Sequence, residues 1–168
     1  MVSISSFAGQ SIGVFGLGRS GLSSALALKI SGASVSAWDD NESSRKHALA
    51  AGLELVDLYK ADWSTFNALV LSPGIPLDHP KPHAIARLAR DSGVEIIGDM
   101  ELLARSNPEA RIIGITGTNG KSTTTALIGH LLSSALHSVQ VGGNLGVPVL
   151  DLEPMDEAGS YVLEMSSY

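Results

Sequence analysis

Residues 112–123 read IIGITGTNGKST, and the order of residue types in this stretch decides the fold around it. An apolar run opens into a glycine-rich loop, and Lys121, Ser122 and Thr123 follow where a helical pattern begins. In a P-loop, backbone N–H groups surround the phosphates of a nucleotide, the Lys neutralises phosphate oxygens, and the Ser or Thr hydroxyl contacts Mg²⁺. The stretch therefore predicts a strand, an ATP-binding loop and a helix.

The spacing of this loop departs from the general P-loop motif. G-x-x-x-x-G-K-[ST] requires a glycine where Ile115 stands, and Gly114 lies one residue too early. A solvated lysine on a glycine-rich turn would give the same letters without any ligand. Because the loop falls between an apolar strand and a helix, we favour the phosphate-binding hypothesis. The predicted ATP-binding residues are Gly117, Thr118, Asn119, Gly120, Lys121, Ser122 and Thr123.

The first 98 residues alternate short apolar runs with helical patterns. Strands are predicted at 11–15, 33–38, 53–56, 68–71 and 94–97, with helices after the first, second and fourth, the last of them following Asp78. Strands that are apolar on both faces indicate a parallel sheet covered by helices. The expected fold class is therefore α/β: a Rossmann-like domain over residues 1–98, followed over residues 99–168 by the start of a P-loop-type ATPase domain.

A second glycine loop, GLGRSG, follows the first predicted strand. Gly16, Gly18 and Gly21 have the G-x-G-x-x-G spacing of dinucleotide-binding loops, and Asp39 ends the next strand, where such folds place a ribose-binding carboxylate. By itself this pattern predicts an NAD site. A tight turn without a ligand remains open, as does a turn-capping role for Asp39. The loop predicts a nucleotide site without identifying the nucleotide.

The composition excludes several classes of function. The net charge of −6 argues against a broad nucleic-acid-binding face, which needs clustered Lys and Arg. The chain has no Cys, which excludes disulfides, thiolate zinc sites and cysteine nucleophiles. No apolar stretch approaches the roughly 18 residues of a membrane helix, so we expect no membrane partner and a cytoplasmic location. The histidines lack metal-ligand spacing and are assigned no role.

The second α/β unit is short. Strands need neighbours and covering helices to bury both faces, and few of either follow Arg111. We therefore expect this chain to be the front portion of a longer protein.

Six motifs run in a characteristic order along the chain. Together they resemble the Mur ligases, the ATP-dependent amide ligases of peptidoglycan precursor synthesis, and specifically the branch of that family that adds D-glutamate. The ATP loop alone is shared with other Mur ligases and with folylpolyglutamate synthases. The motifs are GLGRSG at 16–21, SPGIP at 72–76, GDMELL at 98–103, GTNGKST at 117–123, GGNLG at 142–146 and LEMSSY at 163–168.

The resemblance implies that the first domain holds the UDP part of a sugar nucleotide instead of NAD. Asp39 would then meet the uracil, and Asn144 would reach the diphosphate–sugar region. Arg19 occupies a variable position in such loops. The residues expected to bind UDP-N-acetylmuramoyl-L-alanine are Gly18, Arg19, Ser20, Asp39, Ser72, Gly74 and Asn144.

The resemblance also implies ATP and Mg²⁺ as cofactors. Lys121 and Glu164 would be the catalytic residues, with Lys121 on the ATP phosphates and Ser122 and Glu164 on the metal. A lone carboxylate at a strand end is usually solvated. Glu164, however, follows an apolar strand beyond a P-loop, where a Mg²⁺-binding carboxylate is expected.

The reaction that the resemblance implies forms an acyl phosphate from ATP and then an amide with D-glutamate. The family's carbamylated lysine, a later metal-binding histidine and the D-glutamate domain are expected beyond Tyr168, so we expect this chain alone to be inactive. Three alternatives remain. An NAD-binding oxidoreductase domain explains the first loop but not GTNGKST. A non-catalytic nucleotide-binding module would keep the sugar-nucleotide site without catalysing a reaction. A folylpolyglutamate synthase-like ligase is the nearest enzymatic alternative, but it fits the UDP-type first domain less well.

Overall fold

The computed structural model describes residues 1–135, 137–144 and 146–166, and its strands form two parallel sheets. The first sheet has the order β2-β1-β3-β4, with β1 Ser11–Phe15, β2 Ser34–Trp38, β3 Ala68–Leu71 and β4 Glu95–Ile97. The second has the order β5-β7-β6, with β5 Arg111–Ile115, β6 Val139–Gly143 and β7 Ser160–Glu164. The described helices are α1 Arg19–Ile30, α2 Glu42–Ala50, α3 Ala84–Asp91, α4 Asp99–Ser106 and α5 Lys121–Ser134.

The central strands of both sheets are buried on both faces, as a parallel sheet requires. In β1 every residue after Ser11 is buried, and all five residues of β7 are buried. The predicted α/β class, with a Rossmann-like parallel sheet first, is confirmed. The predicted bounds of β1 and β3 agree with the structure to the residue, and α5 begins at Lys121, where the helical pattern was predicted to start.

The strand predicted at 53–56 is wrong. Only a single bridge joins Leu55 to Ala37 of β2, through two backbone hydrogen bonds. The segment is confined between Gly52, whose φ of +82° ends the preceding turn, and a turn closed by the Lys60 amide on the Asp57 carbonyl. This second turn takes the chain away from the sheet edge before a ladder can form.

Helix starts follow capping chemistry, in one case from an unexpected residue. Asn41 caps α2, since its side-chain oxygen accepts from the amides of Ser43 and Ser44, at 2.8 and 3.3 Å. The helix expected after Asp78 begins only at Ala84 and is capped by His83.

One apolar core runs between the two sheets. A 3-10 turn at Val149–Asp151 packs against α1 and α4, and Val149 and Leu150 are fully buried there with Tyr161 of β7. The Ser23 hydroxyl of α1 donates to Asp151 Oδ1 at 2.7 Å. The division of the chain into domains at residue 98 stays a prediction.

Over the described ranges, each helix is too short or too polar to span a lipid bilayer.

Candidate active site

The carboxyl ends of strands from both sheets meet at one cleft. In parallel sheets these ends lie on the same edge, where open α/β folds bind their ligands. The cleft holds a cavity of about 150 Å³. It is lined by Pro73 after β3, Asp99 and Met100 at the start of α4, Asn144 after β6, and Glu164, Met165 and Ser166 at the end of β7.

The first glycine loop has the geometry that its spacing predicts. A Cβ on Gly21 would lie 1.7 Å from the Gly16 carbonyl oxygen, so only glycine allows α1 to pack this close to β1. Gly16 has a φ of +88°, and its carbonyl accepts the Ser72 hydroxyl at 2.6 Å. Gly18 is exposed, and a Cβ there would meet nothing within 4 Å. A ligand can therefore approach the backbone at the second glycine.

Helix α1 presents its N-terminus at this loop. Gly18 is its N-cap and provides no side-chain hydrogen bond, so the first amides of the helix are available to an anion. Arg19 and the half-buried Ser20 are its first two residues. The Arg19 guanidinium donates to the carbonyl of Gly146, in the GGNLG loop that follows β6. The loop after β1 and the loop after β6, which both carry predicted sugar-nucleotide contacts, therefore meet here.

Asp39 lies at the end of β2, as predicted, but its carboxylate is engaged. One oxygen accepts from the Leu17 amide in the glycine loop, and the other accepts from the Asn41 amide at 2.7 Å. The carboxylate therefore fixes the turn after β2 against the loop after β1. Ser72 stabilises the same loop by donating a hydrogen bond to the Gly16 carbonyl. Gly74, two residues later, is exposed.

The second glycine loop curves around the predicted catalytic lysine. Gly117 and Gly120 have φ values of +147° and +78°, which favour glycine. Lys121 Nζ donates to the Gly117 carbonyl at 2.7 Å, so the half-buried amine lies against the loop backbone. Such an amine can move onto a phosphate oxygen. The remaining predicted residues of the loop are all exposed: Thr118, Asn119, Ser122 and Thr123.

Glu164 ends β7 between the two strands that lead into the ligand loops. The register pairs it with Ile115 of β5 on one side and with Gly143 of β6 on the other. Its carbonyl accepts from the Asn144 amide at 2.8 Å. Only 2% of Glu164 is exposed, and the residue lines the cleft. The fold therefore brings Glu164 and Asn144 together.

The described residues offer few metal ligands. Nowhere in those ranges do three or more His, Asp or Glu side chains gather as a metal site would require. Mg²⁺ in nucleotide sites is usually held by one or two carboxylates together with substrate phosphates and water. Glu164 fits that use, because among the described residues it has no side-chain hydrogen bond or ion pair.

Sequence reasoning missed Asp99, which also lines the cleft. It is the first residue of α4 and is only 7% exposed, and its Oδ1 accepts from the Met100 amide at 2.9 Å. Burial raises the pKa of its carboxyl group above the usual value. The signal in the sequence was an acid that follows a predicted strand after a single glycine.

A second group that was missed lies beyond β2. Asp40 accepts from the Tyr59 hydroxyl at 3.0 Å and lies 3.3 Å from His83 Nε2. His83 Nδ1 accepts from the Ile85 amide, which assigns the ring proton to Nε2, facing Asp40. Burial, and then the hydrogen bond to Asp40, raise the pKa of Tyr59 to about 12. The histidine that the sequence left without a role is therefore a helix cap whose Nε2 faces Asp40.

Two family models match the chain. The model described as "Mur ligase MurD-like, N-terminal domain" matches residues 10–98, more than half of the chain. The model described as "Mur ligase middle domain" matches residues 115–168. The two matches contain the first and the second glycine loop, respectively.

Curated relatives match over the whole chain. It is 53% identical to a UDP-N-acetylmuramoylalanine–D-glutamate ligase of Caulobacter vibrioides (strain NA1000 / CB15N) and 51% identical to the protein of that name from Phenylobacterium zucineum. The protein of the same name from Rhizobium meliloti is 53% identical. In each case the alignment covers 100% of this chain and 37% of the relative.

Proposed function

Because the chain belongs to the Mur ligase family, we propose that it provides nucleotide-binding machinery for an ATP-dependent ligase. The ligase would join D-glutamate to UDP-N-acetylmuramoyl-L-alanine. One observation carries this proposal: Glu164 lies between the strand that enters the GTNGKST loop and the strand that enters GGNLG. A phosphate donor and an anionic sugar nucleotide bound at those loops would meet at one cleft.

The reaction would proceed in two steps. A carboxylate oxygen of the alanyl residue attacks the γ-phosphorus of ATP, and ADP leaves with the bridging oxygen. The amine of D-glutamate then attacks the carbonyl carbon of the acyl phosphate, loses a proton and expels phosphate. Phosphorylation is needed because an oxide is a poor leaving group, and the protein contributes mostly positioning and charge neutralisation.

The sugar nucleotide would lie along the carboxyl edge of the first sheet. The open N-terminus of α1 at Gly18 suits its diphosphate, and Arg19 adds a positive charge there. The relatives' names favour a UDP-sugar over NAD. Because both Asp39 oxygens already hold backbone amides, a uracil contact would use this carboxylate alongside its role in the turn. The remaining proposed contacts are Ser20, Ser72, Gly74 and Asn144.

ATP would occupy the second glycine loop. Lys121 would exchange the Gly117 carbonyl for phosphate oxygens, with backbone amides of residues 117–120 around them. A bound Mg²⁺ would neutralise developing charge on the phosphates, and Ser122 and Glu164 are the proposed residues that hold it. Glu164 suits this role because it is buried and lacks a side-chain partner among the described residues.

We expect binding without ligation from the chain alone. It spans 37% of the length of the curated relatives, and the D-glutamate site is proposed to need residues outside it. D-glutamate-dependent release of ADP by this chain would contradict this part of the proposal.

Calorimetric titration of the chain with UDP-N-acetylmuramoyl-L-alanine, with NAD⁺ in parallel, tests the first loop. We expect binding of the sugar nucleotide only, and binding of NAD⁺ alone would favour the oxidoreductase alternative. Lys121→Ala should weaken ATP binding at least about tenfold, because a charge-assisted phosphate contact is lost, and should leave sugar-nucleotide binding nearly unchanged. Equal losses for both ligands would contradict the assignment of separate sites.

A further inference from the structure

Asp99 is a buried carboxylate without a cation. It is 7% exposed at the start of α4, and no Lys, Arg or His in the described ranges forms an ion pair with it. One of its oxygens accepts from the Met100 amide. A buried carboxylate is costly unless it is neutralised or paired, and this one, in a residue that lines the cleft, is held by the backbone amides of Asp99 and Met100 and by no cation in the described ranges.

Glu164, which lines the same cavity, also lacks a cation partner in the described ranges. It is 2% exposed, and in the described ranges its carboxylate makes no ion pair or hydrogen bond. Two buried carboxylates, one beyond β4 of the first sheet and one at the end of β7 of the second, thus line one cavity of about 150 Å³. A cation between them would satisfy both.

We propose that Asp99 is a second carboxylate ligand of the divalent cation at Glu164, so that one ion joins α4 to β7. This inference rests on the proposed function, which assigns Glu164 to Mg²⁺. Two carboxylates completed by water and phosphate oxygens match the usual coordination of Mg²⁺ in nucleotide sites. Asn144, whose side-chain carbonyl is a suitable hard ligand, lines the same cavity.

A purely structural role for Asp99 makes a different prediction. An acid in the first turn of a helix is stabilised by the helix dipole, and Asp99 already accepts one amide there. Asp99→Asn keeps an oxygen that can accept from Met100 and removes only the charge. Cation affinity should therefore fall in this variant if Asp99 is a ligand and stay constant if Asp99 only starts the helix.

The test is a titration of the full 168-residue chain with Mn²⁺, monitored by the electron paramagnetic resonance signal of the free ion. We expect saturable binding of one Mn²⁺ and a loss of affinity of about tenfold or more in Asp99→Asn and in Glu164→Gln. Glu109→Gln is the matched control, because it removes the same charge at an exposed position just beyond α4, and Glu109 does not line the cavity. Its affinity should equal that of the unaltered chain.

A second measurement needs no substitution. Met100 and Met165 line the cavity, whereas Met1 and Met155 do not. In methyl NMR spectra, substoichiometric Mn²⁺ should broaden the first two signals before the other two. Absence of saturable Mn²⁺ binding, unchanged affinity in Asp99→Asn, or early broadening only at Met1 and Met155 would each overturn the inference. If the chain still binds the sugar nucleotide when one of these results is found, the proposed function stands and only the role of Asp99 as a cation ligand is rejected.

Discussion

Single residues in the first glycine loop are constrained for different reasons. Gly21 is fixed by packing, since any side chain there would collide with the Gly16 carbonyl in the turn that starts α1. Gly18 faces open space in an ordinary backbone conformation, so its packing does not require glycine. The need for glycine at residue 18 therefore comes from the ligand that we propose there.

Alanine substitutions should separate these two reasons. Gly21→Ala should cost more than about 3 kcal/mol of unfolding free energy, because a backbone atom must move to admit the methyl group. Gly18→Ala should cost about 1 kcal/mol or less, the difference between Gly and Ala at a helix N-cap, while weakening sugar-nucleotide binding. Urea unfolding and calorimetry measure both effects. Equal destabilisation by the two substitutions would contradict the packing argument.

At the scale of elements, Arg105 fastens α4 to β4. Its guanidinium bonds both carboxylate oxygens of Glu95, at 2.6 and 2.9 Å, and Glu101 on its own helix at 2.7 Å. The hydrogen bond from Arg105 holds the pKa of Glu95 below its usual value. We call these contacts of Arg105 with Glu95 and Glu101 the Arg105 fork. Because α4 also carries Asp99, the fork helps to set the position of Asp99 at the cleft.

The stabilisation from this fork should depend on pH. A carboxyl group whose pKa is lowered on folding stabilises the folded state above its unfolded pKa, about 4.3 for Glu, and that stabilisation disappears as the pH falls through the lower folded value. Glu95→Gln should therefore lower Tm at pH 7 by only about 1–2 °C, because the pair is exposed. Thermal melts of both proteins should converge below the folded pKa. A difference in Tm that persists in acid would contradict the ion-pair explanation.

Elements with local signals could be predicted, and elements that depend on distant partners could not. The start of α5 at Lys121 follows from the glycine turn before it and from its own helical pattern. Residues 53–56 read as a strand, but no sequence pattern shows whether a sheet edge continues beside them. The predicted ATP-binding loop GTNGKST was likewise recognisable because all its residues are contiguous in the sequence. The family that the motifs suggested is confirmed by the two family models. Asp99 and the Asp40–His83 pair depend on contacts between distant segments and were missed.

At the scale of the whole molecule, the two sheets are joined through α1. Its Ser23 hydroxyl reaches Asp151 in the second unit, and the Val2 amide donates to the Leu150 carbonyl at 2.8 Å. Beside Ser23 stands Ser24, which is 1% exposed and whose buried hydroxyl has no partner in the described part of the chain. The neighbouring serines thus differ in one contact across the boundary.

This pair provides a matched test of the connection between the sheets. Ser23→Ala should cost about 1–2 kcal/mol, because a hydrogen bond to a carboxylate is lost from a buried position. Ser24→Ala should be neutral or slightly stabilising, because it removes a buried hydroxyl that has no hydrogen-bond partner among the described residues. Chemical denaturation of both variants measures the difference. Equal effects would show that the Ser23–Asp151 contact contributes nothing to stability.

The shared core has a consequence for how the gene can be divided. A cut at residue 98 follows the border that the motifs suggest, but it would separate Val149 and Leu150 from α1 and leave α4 as their remaining helical cover. The other product would carry the bared faces of α1. Each piece produced alone would expose an apolar surface that promotes aggregation. Co-expression of the two pieces would allow these surfaces to cover each other.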